Sequence, residues 1–213
     1  MTERDQVLDR LLERHGRTYA EEAGIDLDRG GASELFQLLV MSLLVSARIG
    51  SGIALAAARA LFDHGYTTPQ KMLEASWQDR VDALGEGHYV RYDESTATYL
   101  GDTSELVLDR YEGDLGQLRD AADRDPDRIR ERLQEFKGIG AMGAAIFCRD
   151  AQRVWEELRP FLDDKAAAVA EQLGLGDSAE DLAELTGDPD LSVVASALVR
   201  ADLDDDVEDL RSA

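Results

Sequence analysis

The chain has 213 residues and a mass of 23.4 kDa, a length that suits one domain or two small lobes. Its 44% of hydrophobic residues can form a core, but 45 acidic residues against 23 basic ones give a net charge of −22. This charge excludes a broadly basic nucleic-acid coat and a polybasic membrane binder, but it does not exclude DNA binding through a local patch.

The same composition indicates a salt-adapted, cytoplasmic protein. A dense acidic surface stays hydrated when salt screens other interactions, so we expect a halophilic host. The single cysteine, Cys148, excludes an intramolecular disulfide and any zinc or iron–sulfur site built from four cysteines. The first residues lack a signal pattern, and the longest apolar stretch, 35–47, is too short to cross a membrane.

Apolar residues recur with helical spacing almost throughout, which predicts an all-α chain without a sheet. A first helix follows the capping residue Thr2. A second helix, capped by Ser33 and apolar on nearly every side, is predicted to be the central buried helix and to end at 50–52. An alanine-rich helix then reaches about Phe62.

Later helix starts are marked by a capping residue followed by proline, at Thr68-Pro69, Asp125-Pro126 and Asp188-Pro189. A short helix begins at Ser76, residues 85–92 are predicted to form a loop, and residues 93–111 a helix. The last segment, 202–213, carries six acids against one arginine, and we expect it to fray.

The segment from Leu133 to Cys148 departs from this pattern. A helix over 127–134 leads into Phe136-Lys-Gly-Ile-Gly140, and a second helix begins near Ala141. Two glycines around one apolar residue allow a tight turn and leave backbone N–H groups bare at a helix N-terminus, where anions bind. The pattern is typical of a helix–hairpin–helix that binds the DNA backbone. The alternative is a plain helix–turn–helix corner that uses glycine for its bend.

The charge distribution favours the first interpretation. Residues 128–165 carry eight basic and seven acidic side chains, a net charge of +1. The preceding residues have 13 basic against 25 acidic side chains, and the following ones have 2 against 13. Phosphate binding requires a segment without excess negative charge, and residues 128–165 are such a segment in an otherwise acidic chain. Arginines clustered by chance on a solvated helix would give the same count.

A pair of carboxylates follows the hairpin. Asp163 and Asp164 lie at a predicted helix start, after the apolar residues Phe161 and Leu162. Helix capping accounts for one aspartate, and the apolar lead-in is less well explained by a cap alone.

Three segments together resemble the helix–hairpin–helix DNA glycosylase superfamily, and most closely its endonuclease III branch: Leu43-Leu-Val-Ser-Ala-Arg48, the hairpin 136–140, and Leu162-Asp163. The resemblance spans roughly 33–175 and implies a two-lobed all-α bundle with DNA lying across the cleft. One lobe would be a six-helix barrel over 33–150, with the helix–hairpin–helix at about 127–150. The other would comprise 1–32 and 151–213, and 203–213 would be an acidic tail.

The resemblance also implies roles for individual residues. Asp163 would activate water, or stabilise a sugar cation, while the N-glycosidic bond of a flipped damaged base is hydrolysed. The residues expected to contact DNA are Arg48, Lys137, Gly138, Ile139, Gly140 and Lys165. A Na⁺ or K⁺ ion would lie at the backbone of the two hairpin glycines, with no metal bound by side chains. His88, Tyr89 and Tyr92 would lie near the base pocket, where Tyr92 and Tyr99 are candidates for stacking on the base.

The sequence departs from the family at three places. Met142 stands where the bifunctional enzymes have a lysine, and methionine cannot form a Schiff base, so we expect no lyase activity. The four cysteines of the iron–sulfur loop are missing, and Asp164-Lys165 replaces the usual Thr-His. We therefore predict a DNA glycosylase that acts on double-stranded, damaged DNA, favour a monomer, and expect no cofactor and no membrane partner. The alternatives are a catalytically silent DNA-binding protein with the same hairpin and an acidic helical interaction protein.

Overall fold

The computed structural model describes residues 2–212, and within that range all regular secondary structure is helical. The helices are α1 (Glu3–His15), α2 (Tyr19–Glu22), α3 (Ala32–Val45), α4 (Ser51–Asp63), α5 (Pro69–Glu74), α6 (Trp77–Glu86), α7 (Asp93–Tyr111), α8 (Leu115–Ala121), α9 (Pro126–Leu133), α10 (Ala141–Ala151), α11 (Asp164–Gln172), α12 (Ala179–Thr186), α13 (Ser192–Leu203) and α14 (Val207–Ser212), with short 3-10 helices at Leu27–Arg29 and Glu156–Leu158. None of the described helices is long and apolar enough to cross a membrane. Met1 and Ala213, the outermost residues of the predicted second lobe, lie outside the described range.

The chain forms two compact units. The hairpin unit is Ala20–Phe147, and the terminal unit runs from Cys148 onward and includes the N-terminal segment up to Tyr19. Residues 148–150, predicted in the barrel lobe, belong to the terminal unit. Residues 20–32, predicted in the second lobe, belong to the hairpin unit. They do so because Ile25 and Leu27 are buried, the first 3-10 helix packs on α3, and Arg59 Nη1 donates to the Glu22 carbonyl at 2.8 Å.

In the hairpin unit, α3 is the central helix, as predicted. Every residue from Leu35 to Leu44 is buried, and α4 packs along this helix. Its cap differs from the prediction, because Gly31 is the N-cap residue and Ser33 lies one residue inside the helix. The Ser33 hydroxyl instead donates to the Thr67 carbonyl at 3.0 Å, which ties the start of α3 to the loop before α5.

Helices α5, α6 and α7 are joined by one buried cation. Arg80 of α6 donates to the carbonyls of Met72, Ala75 and Ala97 at 2.9 to 3.0 Å. Burial lowers the pKa of this guanidinium, and the three carbonyls compensate for its lost hydration. The arrangement satisfies carbonyls at the C-terminal end of α5, where no helical N–H group is left to bond them.

Most predicted helix starts are confirmed. Thr2 and Ser76 form complete capping boxes, and Thr68 and Asp125 each cap a helix whose first residue is proline. The third capping residue followed by proline, Asp188-Pro189, does not start a helix, because α13 begins at Ser192.

The reason is a pair of local side-chain turns before α13. The carboxylate of Asp188 accepts the N–H of Asp190 at 2.9 Å, and the carboxylate of Asp190 accepts the N–H of Ser192 at 3.0 Å. These bonds hold the backbone in turns and compete with helix formation until Ser192.

The terminal unit has its own core, formed by buried residues of α1, α11 and α13 with Leu182 of α12 and Leu210 of α14. The expectation that the acidic C-terminal segment frays is wrong for α14. Leu210 is fully buried, and Arg10 Nη2 donates to its carbonyl at 2.8 Å. His15 Nε2 and Arg14 Nη1 each lie 2.8 Å from the Asp206 carboxylate, which further holds the start of α14 to α1.

Candidate functional site

The hairpin between α9 and α10 has the tight turn that its glycines predict. Gly138 has a φ of 89°, in the left-handed region that disfavours residues with a Cβ. A Cβ at this position would also lie 2.8 Å from Tyr99 Cδ2. Gly138 is therefore required by its backbone conformation and by the close approach of α7.

Ile139, which the resemblance placed among the residues that contact DNA, has a buried side chain. Its N–H donates to the Phe136 carbonyl at 3.0 Å and closes the turn. Phe136 is itself buried, with its ring centroid 6.3 Å from that of Tyr111 in α7. These apolar contacts hold the hairpin against α7, so the backbone of the hairpin keeps one conformation.

The outer side of the hairpin carries N–H groups without partners. Within residues 2–212, the amides of Gly138 and Gly140 donate to no acceptor. The ladder of α10 begins with the bond from Ala144 N–H to the Gly140 carbonyl, so the amides of the first turn have no helical acceptor. Gly140, Ala141 and Met142 are exposed, and a Cβ on Gly140 would meet no atom within 4 Å. The turn thus presents open, positively polarised N–H groups at a helix N-terminus.

Lys137 is the charged residue of the turn. Its side chain is 61% exposed, and Nζ lies 3.2 Å from the Asp102 carboxylate and 5.4 Å from the ring centroid of Tyr99. An exposed pair of this kind contributes little free energy, so an arriving phosphate can replace the carboxylate.

Beside the hairpin lies a cavity of about 280 Å³ within the hairpin unit. We call it the tyrosine pocket; it is lined by Leu43, Ser46, Ala47, Arg48, Tyr89, Tyr92, Ser95, Thr96, Tyr99 and Gly138. None of these lining residues is acidic, although the chain as a whole has a net charge of −22. Arg48 is exposed and makes no ion pair within the described part of the chain.

Hydroxyl groups supply most of the polarity of the tyrosine pocket. Tyr89 is fully buried, and its hydroxyl makes no hydrogen bond of normal length in the described chain. Burial raises the pKa of the Tyr89 phenol, and the nearby Thr96 hydroxyl offsets part of that effect. A buried hydroxyl without a partner is a donor that a ligand in the pocket can satisfy.

The structure brings together only some of the predicted base-pocket residues. Tyr89 and Tyr92 line the tyrosine pocket with Arg48, whereas His88 is exposed, has a φ of 63° and is not among the lining residues. Val90, on the same loop, was not among the predicted site residues; it is 66% exposed and does not line the tyrosine pocket. An isolated valine in a loop carries no sequence signal, so its exposure became evident only from the fold.

Asp163 lies in the terminal unit, where it caps α11. Its Oδ1 accepts the N–H of Ala166 at 3.3 Å, which agrees with the capping alternative. Its Oδ2 lies 2.8 Å from Nε and 2.7 Å from Nη2 of Arg149, with the two side chains only 10% and 5% exposed. Both carboxylate oxygens are thus engaged, which leaves few free lone pairs for accepting a proton from water.

The segment that leads into Asp163 is held by a buried glutamine. Gln152 Oε1 accepts the N–H groups of Phe161 and Leu191 at 3.0 and 3.1 Å, and its Nε2 donates to the Phe161 carbonyl at 3.1 Å. This residue also carries no sequence signal, because its partners are nine and 39 residues away.

The other two predicted positions are exposed. Lys165 Nζ lies 2.8 Å from the Asp202 carboxylate, so in this structure it pairs with an acid. Met142, in the first turn of α10, has a side chain that is 67% exposed. No three His, Cys, Asp or Glu side chains of residues 2–212 converge as metal ligands.

No protein-family model matches the sequence, and no curated protein matches it. The structure is similar to that of endonuclease III in a non-covalent complex with DNA, with a TM-score of 0.54 and 16% identity over 91% of this chain and 81% of that chain. Endonuclease III in a trapped covalent intermediate with DNA, an estranged-adenine complex, gives a TM-score of 0.48 and 16% identity over 76% and 71% of the two chains. The chain therefore has the helical fold of endonuclease III, as the sequence predicted.

Proposed function

We propose that this chain of the endonuclease III fold binds duplex DNA through the amides of the hairpin and of the first turn of α10. The observation that carries the proposal is the set of exposed, unpartnered N–H groups at Gly138 and Gly140. Backbone amides at a helix N-terminus bind phosphate without needing cationic side chains, which this acidic chain has in short supply.

We propose further that the tyrosine pocket takes a single unstacked base. Its volume of about 280 Å³ is just below the usual range for small-ligand sites. Tyrosine rings stack on any base, and the absence of carboxylates from the lining avoids repulsion of the attached phosphates. Such stacking, about 1 to 3 kcal/mol per base, offsets part of the few kcal/mol that removal of a base from the duplex costs.

The chemical step we propose is hydrolysis of the N-glycosidic bond of a damaged nucleotide, with Asp163 as the assisting carboxylate. Water adds to C1′, the C1′–N bond breaks, and the base leaves with the electron pair and takes up a proton. Asp163 would accept the proton from water and stabilise the positive charge that develops on the sugar. Because Met142 offers no amine, the product would be an intact abasic strand.

A monovalent cation at the hairpin is also part of the proposal. The Gly138 carbonyl accepts no hydrogen bond within residues 2–212, and the Gly140 carbonyl accepts one, from Ala144. Both oxygens therefore retain a lone pair that a Na⁺ or K⁺ ion can use. Bound there, the ion would neutralise part of the charge of a neighbouring phosphate.

A catalytically silent DNA-binding protein is the second candidate. The buried ion pair between Arg149 and Asp163 favours it, because the carboxylate is already engaged by a cation and a helix amide. The exposed Met142 offers no amine, which is compatible with both candidates.

The hairpin proposal is tested by measuring the affinity for a short duplex with one tetrahydrofuran abasic analogue. Gly140→Ala places a methyl group where a phosphate would approach the open backbone, so we expect about tenfold weaker binding, or about 1.4 kcal/mol. Gly85→Ala is the matched control, because a Cβ there also meets nothing within 4 Å. Equal affinities for the two variants would remove the hairpin from the interface.

The hydrolysis proposal is tested by incubating a panel of duplexes, each with one damaged base, with the wild type and two variants. Asp163→Asn keeps a capping residue but removes the carboxylate, so base release should fall by about 10² or more. Asp164→Asn, the exposed neighbour, should release base at the wild-type rate. Release that is unaffected by Asp163→Asn refutes the catalytic role, and binding without release by the wild type favours the second candidate.

A further inference from the structure

The ion pair between Arg149 and Asp163 is unusual in its degree of burial. Arg149 lies in the last turn of α10, and its Nε and Nη2 both reach Asp163 Oδ2, at 2.8 and 2.7 Å. The two side chains are at least nine-tenths buried. The third guanidinium nitrogen, Nη1, is buried and has no hydrogen-bond partner within residues 2–212, and the centroid of the Tyr19 ring lies 6.0 Å from Cζ.

Stability alone explains this arrangement poorly. Capping α11 requires one oxygen, which Asp163 Oδ1 already supplies to Ala166. A buried ion pair seldom stabilises a fold more than apolar side chains of the same volume, because both charges lose their hydration. The unpartnered Nη1 adds a further desolvation cost, so the guanidinium is held here at the expense of stability.

We propose that Arg149 is a positioning residue that controls whether Asp163 can act, an inference that rests on the proposed function. In the closed pair, the guanidinium occupies Oδ2 and its charge cancels that of the carboxylate. Asp163 can then neither accept a proton from water nor attract a cation on the sugar. Opening of the pair frees Oδ2, so hydrolysis is limited by the strength with which Arg149 holds Asp163.

The test uses two duplexes of identical sequence that differ only in one central residue. One carries a pyrrolidine, whose ring amine is positively charged where the sugar cation would form, and the other carries the neutral tetrahydrofuran analogue. The ratio of their dissociation constants measures how strongly the protein attracts a sugar cation, independently of which base it recognises. This ratio also cancels any general loss of DNA binding, so it does not respond to a merely structural role.

We expect the wild type to bind the two duplexes within about twofold of each other. Arg149→Met removes every donor from the pair and should favour the pyrrolidine duplex by about tenfold, or about 1.4 kcal/mol. Arg149→Lys replaces the contact made by two guanidinium nitrogens with one made by a single ammonium. It should favour the pyrrolidine duplex by a smaller factor, of about threefold. The double variant Arg149→Met, Asp163→Asn lacks the carboxylate and should show no preference.

Two results overturn the inference while leaving DNA binding intact. One is a wild-type preference of tenfold that Asp163→Asn abolishes, since Asp163 would then be available despite the pair. The other is an Arg149→Met variant that binds both duplexes without preference. If Arg149→Met does not fold, the comparison of Arg149→Lys with the wild type decides, and equal ratios refute the inference. Failure of the wild type to bind either duplex refutes the proposed function itself.

Discussion

Gly138 and Gly140 are separated by one residue, yet they have different physical requirements. Gly138 has a left-handed backbone and faces Tyr99, whereas Gly140 has no positive φ, and a Cβ added to it would meet no atom within 4 Å. The first glycine is needed for folding, and under the proposed function the second is needed for access of a phosphate to the backbone.

This difference predicts that the two alanine variants separate stability from binding. Gly138→Ala should lower the free energy of unfolding by about 2 kcal/mol, because it combines backbone strain with a clash. Gly140→Ala should change it by less than about 0.5 kcal/mol. Urea denaturation of the two variants measures both values, and similar losses would contradict the assignment.

Met142 offers a gain-of-function experiment at the residue scale. Its exposed side chain lies in the first turn of α10, so a lysine there can reach solvent without disturbing the core. We expect Met142→Lys to form a covalent adduct with an abasic duplex under borohydride, whereas the wild type forms none. Met142→Gln, which has no amine, is the control; an adduct with the wild type would show that another amine supplies the nucleophile.

Local sequence patterns predicted the structural role of a residue where that role depends on its immediate neighbours. They did not predict roles that depend on tertiary packing. The turn at Gly138 and the cap at Asp163 follow from a few adjacent residues. The partner of Asp163, Arg149, lies 14 residues earlier, and only the fold brings the two together.

At the scale of elements, helix α14 shows how a segment predicted to fray becomes ordered. Its composition is acidic, but Asp206 lies 2.8 Å from both His15 Nε2 and Arg14 Nη1. The hydrogen bond from His15, and then that from Arg14, hold the pKa of the Asp206 carboxyl below its ordinary value of 3.8. Composition alone could not reveal cationic partners located near the N-terminus.

The lowered pKa predicts how stability depends on pH. A carboxyl whose pKa falls on folding contributes stability above its unfolded value, and that contribution is lost as the pH drops through the folded value. Asp206→Asn should therefore destabilise the protein at neutral pH, and its difference from the wild type should shrink as the pH falls below 3.8. Urea midpoints across this range test the prediction, with the exposed Asp9→Asn as the charge-matched control. A constant difference at all pH values would argue against the ion pairs.

The caps and the order of the helices were predictable because they depend on short sequence patterns. The failure at Asp188-Pro189 had a specific cause, since the carboxylates of Asp188 and Asp190 bond nearby amides and hold turns. The placement of residues 20–32 in the hairpin unit was not predictable, because it depends on which apolar surface Ile25 and Leu27 find.

At the scale of the whole molecule, the charge of −22 limits how this protein can bind DNA. Binding through lysine and arginine releases counterions. The logarithm of the affinity therefore falls with the logarithm of the salt concentration, with a slope of about −0.9 per neutralised phosphate. Amides release no counterions of this kind, and among the proposed hairpin and pocket contacts only Lys137 and Arg48 are cationic.

We therefore predict a weak dependence of DNA affinity on salt. A plot of log K against log salt concentration for the tetrahydrofuran duplex should have a slope of about −2. Arg48→Gln should reduce the steepness of the slope by about one. A slope of about −6 or steeper would mean that many cationic side chains carry the interaction instead of the amides.

The most direct test of the account follows individual backbone amides while DNA is added. In ¹⁵N–¹H correlation spectra of the protein titrated with the tetrahydrofuran duplex, we predict the largest shifts at Gly138, Gly140 and Ala141. Unchanged resonances at these three amides, with shifts confined to the arginines of α9, would contradict the hairpin as the DNA-binding element.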